Sequence, residues 1–503
     1  MFLGLDLGTS EVKVLLLDEA GAVLATAGAP LELQHPRPLW SEQNPADWWS
    51  ATERAVARLR AERPLEFARV RGIGLSGQMH GAVLLDRADQ VLRPAILWND
   101  GRSHAECEEL TRRAPMPHAV AGNLAMPGFT APKLLWVRRH EPDIFARIDC
   151  VLLPKDYLRL RLTGERVGDP SDAAGTLWLD VAARTWSDAL LAACDLDRAR
   201  MPRLVESSQP SGVLRPEVAR AWGLGPEVVV AGGAGDNAAS AIGMGAVNPG
   251  DGFISLGTSG VLFVANDRYR PNPSSAVHAF CHALPQRWHQ MSVMLSAASC
   301  LRWFSRLSGG AGEAVLVQEA EQLTREAQAQ APVFLPYLAG ERTPHNDPFA
   351  TGSFVGLRHE TDRAACTYAV LEGVAFGLAD GLDALRSTGT QVARLSLLGG
   401  GARSRFWSQL IADVLDVPCD EHAGAPSGAA LGAARLGWLA AGGSTAAVCT
   451  RPAISKIYVP DRSRGDALQP RLSMFRSIYR KIARPVQFRP VHHESQRPQA
   501  APG

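Results

Sequence analysis

The tract FLGLDLGTSEVKVLLLDEAG at residues 2–21 and the tract GFISLGTSGVLFVANDRY at residues 252–269 share one pattern. Each is an apolar run, then Leu-Gly-Thr-Ser, then a second apolar run, in the same register, with Asp6 in the first copy where the second has Ser255. Short apolar runs around a glycine turn read as two strands of a hairpin. A single such turn reads equally well as an ordinary hairpin. Two copies this far apart indicate a duplicated domain, because the spacing far exceeds the ~20–50 residues of a solenoid repeat.

The surroundings of both copies agree. AVLATAGAPLEL (22–33) reads as a third strand, NPADWWSATERAVARLRAE (44–62) as a helix, and VRGIGLSGQ (70–78) as a further strand. Asn44 is placed to cap that helix, with Pro45 at its first position. After the second hairpin come the strand HQMSVML (289–295), the helix SAASCLRWFSRLSG (296–309) and the strand–turn–helix VARLSLLGGGARSRFWSQLIADVLDV (392–417). Hairpins combined with crossover helices imply α/β domains with mixed sheets. Gly and Pro cluster in GMGAVNPGDG (243–252), which places the seam there; the expected units are 1–247, 248–443 and 444–503.

Composition narrows the function. A chain of 503 residues exceeds one ordinary core. A net charge of +1 argues against a dedicated nucleic-acid or membrane-surface binder. The eight cysteines form no Cys-x-x-Cys pair and no secretory signal opens the chain, so free thiols in the cytoplasm are expected. No continuous apolar stretch approaches the ~20 residues of a membrane span. In LSMFRSIYRKI (472–482), Leu472, Phe475, Tyr479 and Ile482 share one helical face. That face suits a membrane or the body of the protein, docking being the stronger reading; the tail beyond Pro485 reads as disordered.

The turn chemistry points to phosphate. Backbone N–H groups and the hydroxyls of Thr9 and Ser10 can bond phosphate oxygens, and Lys13 can bring its ammonium to the same place. A carboxylate beside phosphate repels it unless a divalent cation lies between, so Asp6 implies Mg²⁺. Two such turns on facing domains would hold a polyphosphate from both sides. VVVAGGAGDNAASAIG (228–243) is a strand, a glycine turn and a helix that begins at Asp236-Asn237. There the helix dipole favours an ionised carboxylate able to accept a hydroxyl proton, although a simple helix cap is the alternative. No G-x-x-x-x-G-K-[ST] motif occurs, and LLGGGARSRFW is not G-x-G-x-x-G, which removes Walker-type and Rossmann nucleotide sites.

These features together resemble the actin–hexokinase superfamily, and within it the FGGY carbohydrate kinases. GFTAPKLLWVRRH carries Gly128, Thr130, Lys133, Trp136 and His140 at the family spacing, and GGGARSRFWSQLIADVLDVPC resembles the second family signature. PLWSEQNP, SGQMHG, LRPAILWNDGR, LLPKDYLRLRLTG, SDAAGTLWLD and FLPYLAGERTPHNDP resemble the branch that phosphorylates the ketose D-xylulose. The resemblance runs from Met1 to about Gly443.

It implies two ribonuclease H-like, actin-like ATPase domains facing across a central cleft. ATP is the implied co-substrate, a small ketose the implied partner, and a homodimer a frequent family state. Asp236 matches the family's general base, although its turn is one residue longer than the usual Gly-Gly-Gly-Asp. Met79 and His80 are implied to contact the sugar, with Gln78, Asn237 and Trp98 beside them; Trp98 reads as a wall of the sugar pocket or as core. Asn99 and Asp100 could add polar contacts. Gly257 and Thr258 are implied to meet phosphates, and Gly400, Gly401 and Ala402 the adenosine. A chaperone-type nucleotide switch would need no sugar loop, a regulator without catalysis should lack Asp6 or Asp236, and a kinase for another polyol differs only in small pocket shifts.

Overall fold

The computed structural model describes residues 1–114, 117–423 and 428–482. In the first half, the strands are β1 (Phe2–Leu7), β2 (Glu11–Leu17), β3 (Val23–Pro30), β4 (Gly72–Gly77), β5 (Pro210–Val213), β6 (Val229–Ala231) and β7 (Ala234–Gly235). They form one seven-stranded sheet in the order β5-β6-β4-β1-β2-β3, with β7 also pairing β4. The second half repeats the plan with β8 (Asp251–Leu256), β9 (Gly260–Asn266), β10 (His278–Cys281), β11 (Trp288–Met294), β12 (Arg394–Leu398), β13 (Cys419–His422) and β14 (Ile454–Tyr458). Their order is β10-β11-β9-β8-β12-β13-β14. The doubled sentence of the sequence is therefore a doubled sheet.

The two hairpins close differently despite their shared letters. Leu7 pairs with Val12, so Gly8–Glu11 form a four-residue turn, and Asp6 lies opposite Lys13. Leu256 pairs with Gly260, so only Gly257–Ser259 turn, and Ser255 lies opposite Val261. The expected common register is thus corrected by one residue. Gly260 stands where the first copy has Glu11, and pairing it tightens the turn and moves every later side chain to the other face. A cation opposes the strand-end polar residue in the first hairpin and an apolar side chain opposes it in the second.

The helices that matter for the site are α1 (Pro45–Glu62), α2 (Thr130–His140), α3 (Pro154–Thr163), α4 (Asp236–Met244), α5 (Ala298–Leu307), α6 (Arg363–Arg386), α7 (Arg405–Leu415), α8 (Gly428–Ala440) and α9 (Arg462–Ile482). As expected, the Asn44 side chain caps α1 by accepting from the Ala46 N–H. By length and composition α6 is apolar enough to cross a membrane, contrary to expectation, but 89% of its apolar window is buried in the second domain's core. Helix α9 docks: Leu472 and Phe475 are buried, while Ile482 at its end is exposed. Its Arg471 grips Glu372 of α6 through Nε at 2.7 Å and Nη2 at 2.6 Å. The tail expected to be disordered lies outside the described residues.

Helix α8 lies in sequence between β13 and β14 of the second sheet yet packs on the first, with Ala430, Leu431 and Ala434 against Phe2, Leu15 and Leu17. It also crosses α4, where the small residues Gly432 and Gly243 let backbone meet backbone. A Cβ on Gly74 of β4 would overlap the Ala433 carbonyl. Gly74→Ala is therefore expected to cost at least about 2 kcal/mol in urea unfolding, because overlap with main chain cannot be relieved by a rotamer change. Gly312→Ala, where a Cβ meets nothing, should stay near wild type.

Candidate active site

Every motif of the first half emerges at one end of the first sheet. Strands β1 and β4 run parallel, with Asp6 beside Ser76 and Leu7 beside Gly77, so the Gly8 turn and the Gln78–His80 loop leave together. Strand β7 runs parallel on the other side of β4, with Gly235 beside Gly77, and delivers Asp236 to the same place. Ligands of open α/β sheets bind at these carboxyl ends.

The strand before Asp236 carries a bulge. Val230 pairs with Ile73, but Ala234 pairs with Ser76, a slip of one residue relative to β6. Gly233 takes the left-handed φ of 71° inside that slip, a conformation that suits glycine. Asp236 thus returns to register and heads α4.

Its carboxyl holds its proton more tightly than an ordinary carboxylate, against the direction expected from the helix dipole, yet still ionises below neutral pH. Burial and the charge of Asp6 push its pKa up to about 6, outweighing the hydrogen bonds from Asn237. Those bonds reach Oδ1 alone, from the Asn237 N–H at 2.7 Å and from Nδ2 at 2.9 Å. Burial also raises Asp6, while the Ser76 hydroxyl and Lys13 oppose the rise. Lys13 is half-exposed and pairs with Glu11 at 3.2 Å.

The loop Gln78-Met79-His80 lies against these carboxyls. Met79 packs on Gly235, where a Cβ would meet its Sδ at 2.9 Å. His80 adopts φ 70°, and its Nδ1 meets the Gly175 carbonyl at 2.7 Å. Burial drives its pKa down to about 3, so the ring is neutral. A neutral ring whose Nδ1 donates to a carbonyl keeps the Nε2 lone pair as an acceptor. Lys133 of α2 holds the loop from behind, donating to the His80 carbonyl at 2.8 Å and to the Gly128 carbonyl at 2.7 Å. Burial holds that ammonium well below the usual lysine range.

The facing wall belongs to the second sheet. Strands β8 and β12 run parallel, with Ser255 beside Leu398, so the Gly257 turn and the Gly399–Ala402 turn also emerge together. The Gly257 and Thr258 carbonyls accept from the Ala298 N–H at 2.8 Å and the Ala297 N–H at 2.9 Å, seating this turn on the start of α5. Among the described residues, the N–H groups of Thr9, Ser10, Thr258 and Ser259 have no hydrogen-bond partner. The halves also touch on the sugar-loop side. Asn123 donates to the Ala279 carbonyl of β10 at 3.1 Å, and its Oδ1 takes the ring nitrogen of His278 at 3.0 Å. Arg342 approaches the other nitrogen of His278 at 3.3 Å, and Phe280 stands 6.2 Å from the His80 ring.

Residues 1–243 match the N-terminal domain of the FGGY family of carbohydrate kinases, and residues 252–441 match its C-terminal domain. The chain belongs to the FGGY family of carbohydrate kinases. It is 53% identical to the xylulose kinase of Escherichia coli (strain K12) over 96% of this chain and 99% of that one. The xylulose kinase of Klebsiella pneumoniae is 50% identical over the same shares. Among solved structures, a xyloylose kinase from Brucella ovis superposes with a TM-score of 0.93 at 53% identity, covering 96% of this chain and 99% of that one. The xylulose kinase from Rhodospirillum rubrum gives 0.88 at 31% identity over the same shares.

In this FGGY kinase several expected contacts are already committed within the protein. The Thr9 hydroxyl donates to Gln78 Oε1 at 3.0 Å and accepts from Trp98 Nε1 at 3.0 Å, so its proton is not free for phosphate. Gln78 passes the link to Gln43 at 3.2 Å, and Gln43 to Trp48 at 2.9 Å. Trp98 is 49% exposed, which excludes the core reading. Asp100 is buried and spends its oxygens on Arg102 and the Ser41 N–H, so it is no sugar contact. Gly400 faces open space, but the place beside Gly401 is filled by Leu256 and Trp407 rather than by a ligand, and Ala402 is buried. Sequence reasoning missed Asn123, His278 and Phe280. It gave Arg342 no role although the GERTPHNDP tract had been singled out.

Replacing Lys133 with Met would keep the bulk, strand the Gly128 carbonyl and leave the His80 carbonyl only the Thr130 hydroxyl at 3.1 Å. One buried acceptor without a donor is expected to cost about 1–3 kcal/mol. An unchanged urea midpoint for Lys133→Met would show that the lysine does not hold this loop.

Proposed function

We propose that this kinase transfers the γ-phosphoryl group of ATP to D-xylulose, giving D-xylulose 5-phosphate and ADP. The observation that carries the reading is the Asp236 carboxyl, partly buried and fixed through one oxygen by Asn237, beside Asp6 and Met79. The identity to xylulose kinases across nearly the whole chain supports the choice of ketose.

In this reading the ketose lies along Met79 and His80 with Trp98 at its flank. The free Nε2 of the neutral His80 accepts a hydrogen bond from a sugar hydroxyl, a role an imidazolium could not fill. Asp236 takes the proton of the primary hydroxyl through its unpaired oxygen as that hydroxyl attacks phosphorus. The N–H groups of Thr9, Ser10, Thr258 and Ser259 cradle the phosphates from two sides, and Lys13 adds its charge. Gly400 leaves room for the adenosine, with Gly401 and Ala402 forming the packed floor beneath it. The Thr9 hydroxyl ties the phosphate turn to Gln78 and Trp98, so it couples the two substrate positions instead of binding phosphate.

Asp6 and Asp236 lie together in a partly buried region, and the nearby Lys13 is itself paired to Glu11. This excess of carboxylate oxygen fits an oxygen-liganded divalent cation. Asp6 would hold Mg²⁺, which supplies charge neutralisation between the carboxylate and the phosphates. Phosphoryl transfer depends mainly on position and charge, and domain closure that excludes water serves both.

The test is ADP release from Mg·ATP with D-xylulose, D-ribulose, L-ribulose, glycerol and D-gluconate, in wild type and Asp236→Ala. Turnover is expected with D-xylulose, falling by about 10²–10⁴-fold in the variant. Sugar-independent ADP release that survives the substitution would overturn the kinase mechanism, and preference for another polyol would overturn the substrate. A base must be ionised to accept a proton. With its pKa raised to about 6, kcat/KM should fall as pH drops through about 6, not through the ordinary carboxylate range near 4. An acid limb near pH 4 would show that Asp236 is not the group titrating.

A further inference from the structure

Beneath the turn that carries Asp236 lies a cluster of charges with no exposure to solvent. Lys155 Nζ of α3 meets Asp156 Oδ1 at 2.6 Å, Asp169 Oδ2 at 2.6 Å and Asp172 Oδ2 at 3.0 Å. Arg159, one turn along α3, meets Asp156 Oδ1 at 2.7 Å. All five side chains are buried, at 0–1% residue exposure. Three carboxyls against two cations in a dry interior is an expensive arrangement, and apolar residues of the same volume often give a more stable protein. Burial accordingly pushes Asp172 up to about 8 despite Lys155. The cluster does not reach the cleft. Besides the Arg159 Nη1 bond to the Val167 carbonyl and the Ser207 bond to Asp169, its bonds to the rest of the chain lead to the turn.

Both ends of the bulge are held from this cluster. Arg159 Nη2 donates to the Gly232 carbonyl, within the bulge. At the other end the Gly235 N–H, immediately before Asp236, donates to Ser171 Oγ at 3.3 Å. The Ser171 hydroxyl in turn donates to Asp169 Oδ1, at 2.5 Å. Ser207 Oγ donates to the same Asp169 oxygen at 2.8 Å and lies 3.4 Å from Ser171 Oγ; its main-chain carbonyl accepts from the Gly233 N–H at 3.0 Å, but its side chain makes no bond to the turn itself. A bulge with a left-handed glycine is a place where a strand can slip or bend. Here its first carbonyl and last N–H are both tied to charges that cannot move without leaving an unpaired ion in the interior.

We propose that the Lys155–Asp156–Asp169–Asp172–Arg159 cluster is the positioning device for the general base, acting through Arg159 and Ser171 on the Gly232–Gly235 main chain. This rests on the reading of Asp236 as the base. Arg159 and Ser171 are positioning residues that touch neither substrate. The cluster fixes where the Asp236 carboxyl stands relative to the Met79–His80 loop, and the bulge is tolerated because its two ends are clamped.

The test compares kcat, KM for D-xylulose, KM for Mg·ATP and melting temperature for Ser171→Ala, Ser207→Ala, Arg159→Lys, Arg159→Met and Asp236→Asn in the full chain. Ser171→Ala is expected to lower kcat by about 10²-fold, the cost of a misplaced catalytic group, with both KM values within about twofold because binding groups are untouched. Ser207→Ala removes a bond to the same carboxylate without freeing the turn and should retain kcat within about twofold. Arg159→Lys, which keeps the charge and one donor, should fall between wild type and Arg159→Met. Unchanged kcat in both Ser171→Ala and Arg159→Lys would overturn the proposal. So would equal losses in Ser171→Ala and Ser207→Ala, or a loss that follows melting temperature alone. Wild-type kcat in Asp236→Asn would instead remove the base itself, whatever the serine variants do.

Discussion

The backbone-to-backbone approach of helix Gly428–Ala440 to strand Gly72–Gly77 is the constraint on which the rest of this molecule depends. A Cβ on Gly74 would overlap the Ala433 carbonyl, and one on Gly437 would lie 2.7 Å from the Gly74 nitrogen. Such contact leaves no room for sliding or rotation, because only main chain is present to move. The same strand is the centre of the first sheet. Strand Phe2–Leu7 lies in register on one side of it, and the strands bearing Val229–Ala231 and Ala234–Gly235 lie on the other. The positions of Asp6, Gln78 and Asp236 are therefore set against one piece of backbone. The helix that fixes it arrives from the far end of the chain, so the two halves are locked together at the base of the cleft.

Above that base the two walls are built alike and charged unlike. Each presents a Leu-Gly-Thr-Ser turn at the carboxyl end of a strand, but only the first places a lysine opposite its strand-end residue. The carboxyls gather on that wall and raise one another's cost of ionisation, as the upward shift of Asp236 to about 6 records. This is an arrangement that burial alone would reject. It is kept by hydrogen bonds from Asn237 and by the rigid turn beneath, and it leaves a carboxyl whose proton affinity lies close to working pH. Stability is given up where chemistry needs charge, and is supplied elsewhere by the apolar cores.

Much of this was legible in the sequence. Hairpins, the capped first helix, the docking face of the last helix and the junctions at Asp236 and Gly399 all follow from local pattern and glycine placement. What was not legible follows from partners distant in sequence. Thr9 was read as a phosphate donor because hydroxyls beside a glycine turn commonly are, but Gln78 and Trp98 engage it first. Asp100 looked available until Arg102 and the Ser41 N–H claimed its oxygens. Gly401 looked like room for a ring, yet Leu256 and Trp407 fill that place. His278 carried no motif and Asn123 no assigned role, and their link across the halves joins residues 155 positions apart.

The amino-acid sequence by itself determined the elements, their duplication and the identity of the groups at the strand ends, because these depend on side-chain period and on where glycine permits a turn. It could not determine the register of the two hairpins, the bulge before Asp236 or the protonation of its carboxyl. Register is a choice between pairings whose local sequences are equally apolar, and only packing against the neighbouring strand and helix selects one. Proton affinity depends on the solvent removed and the charges brought near, and both exist only once the chain has folded.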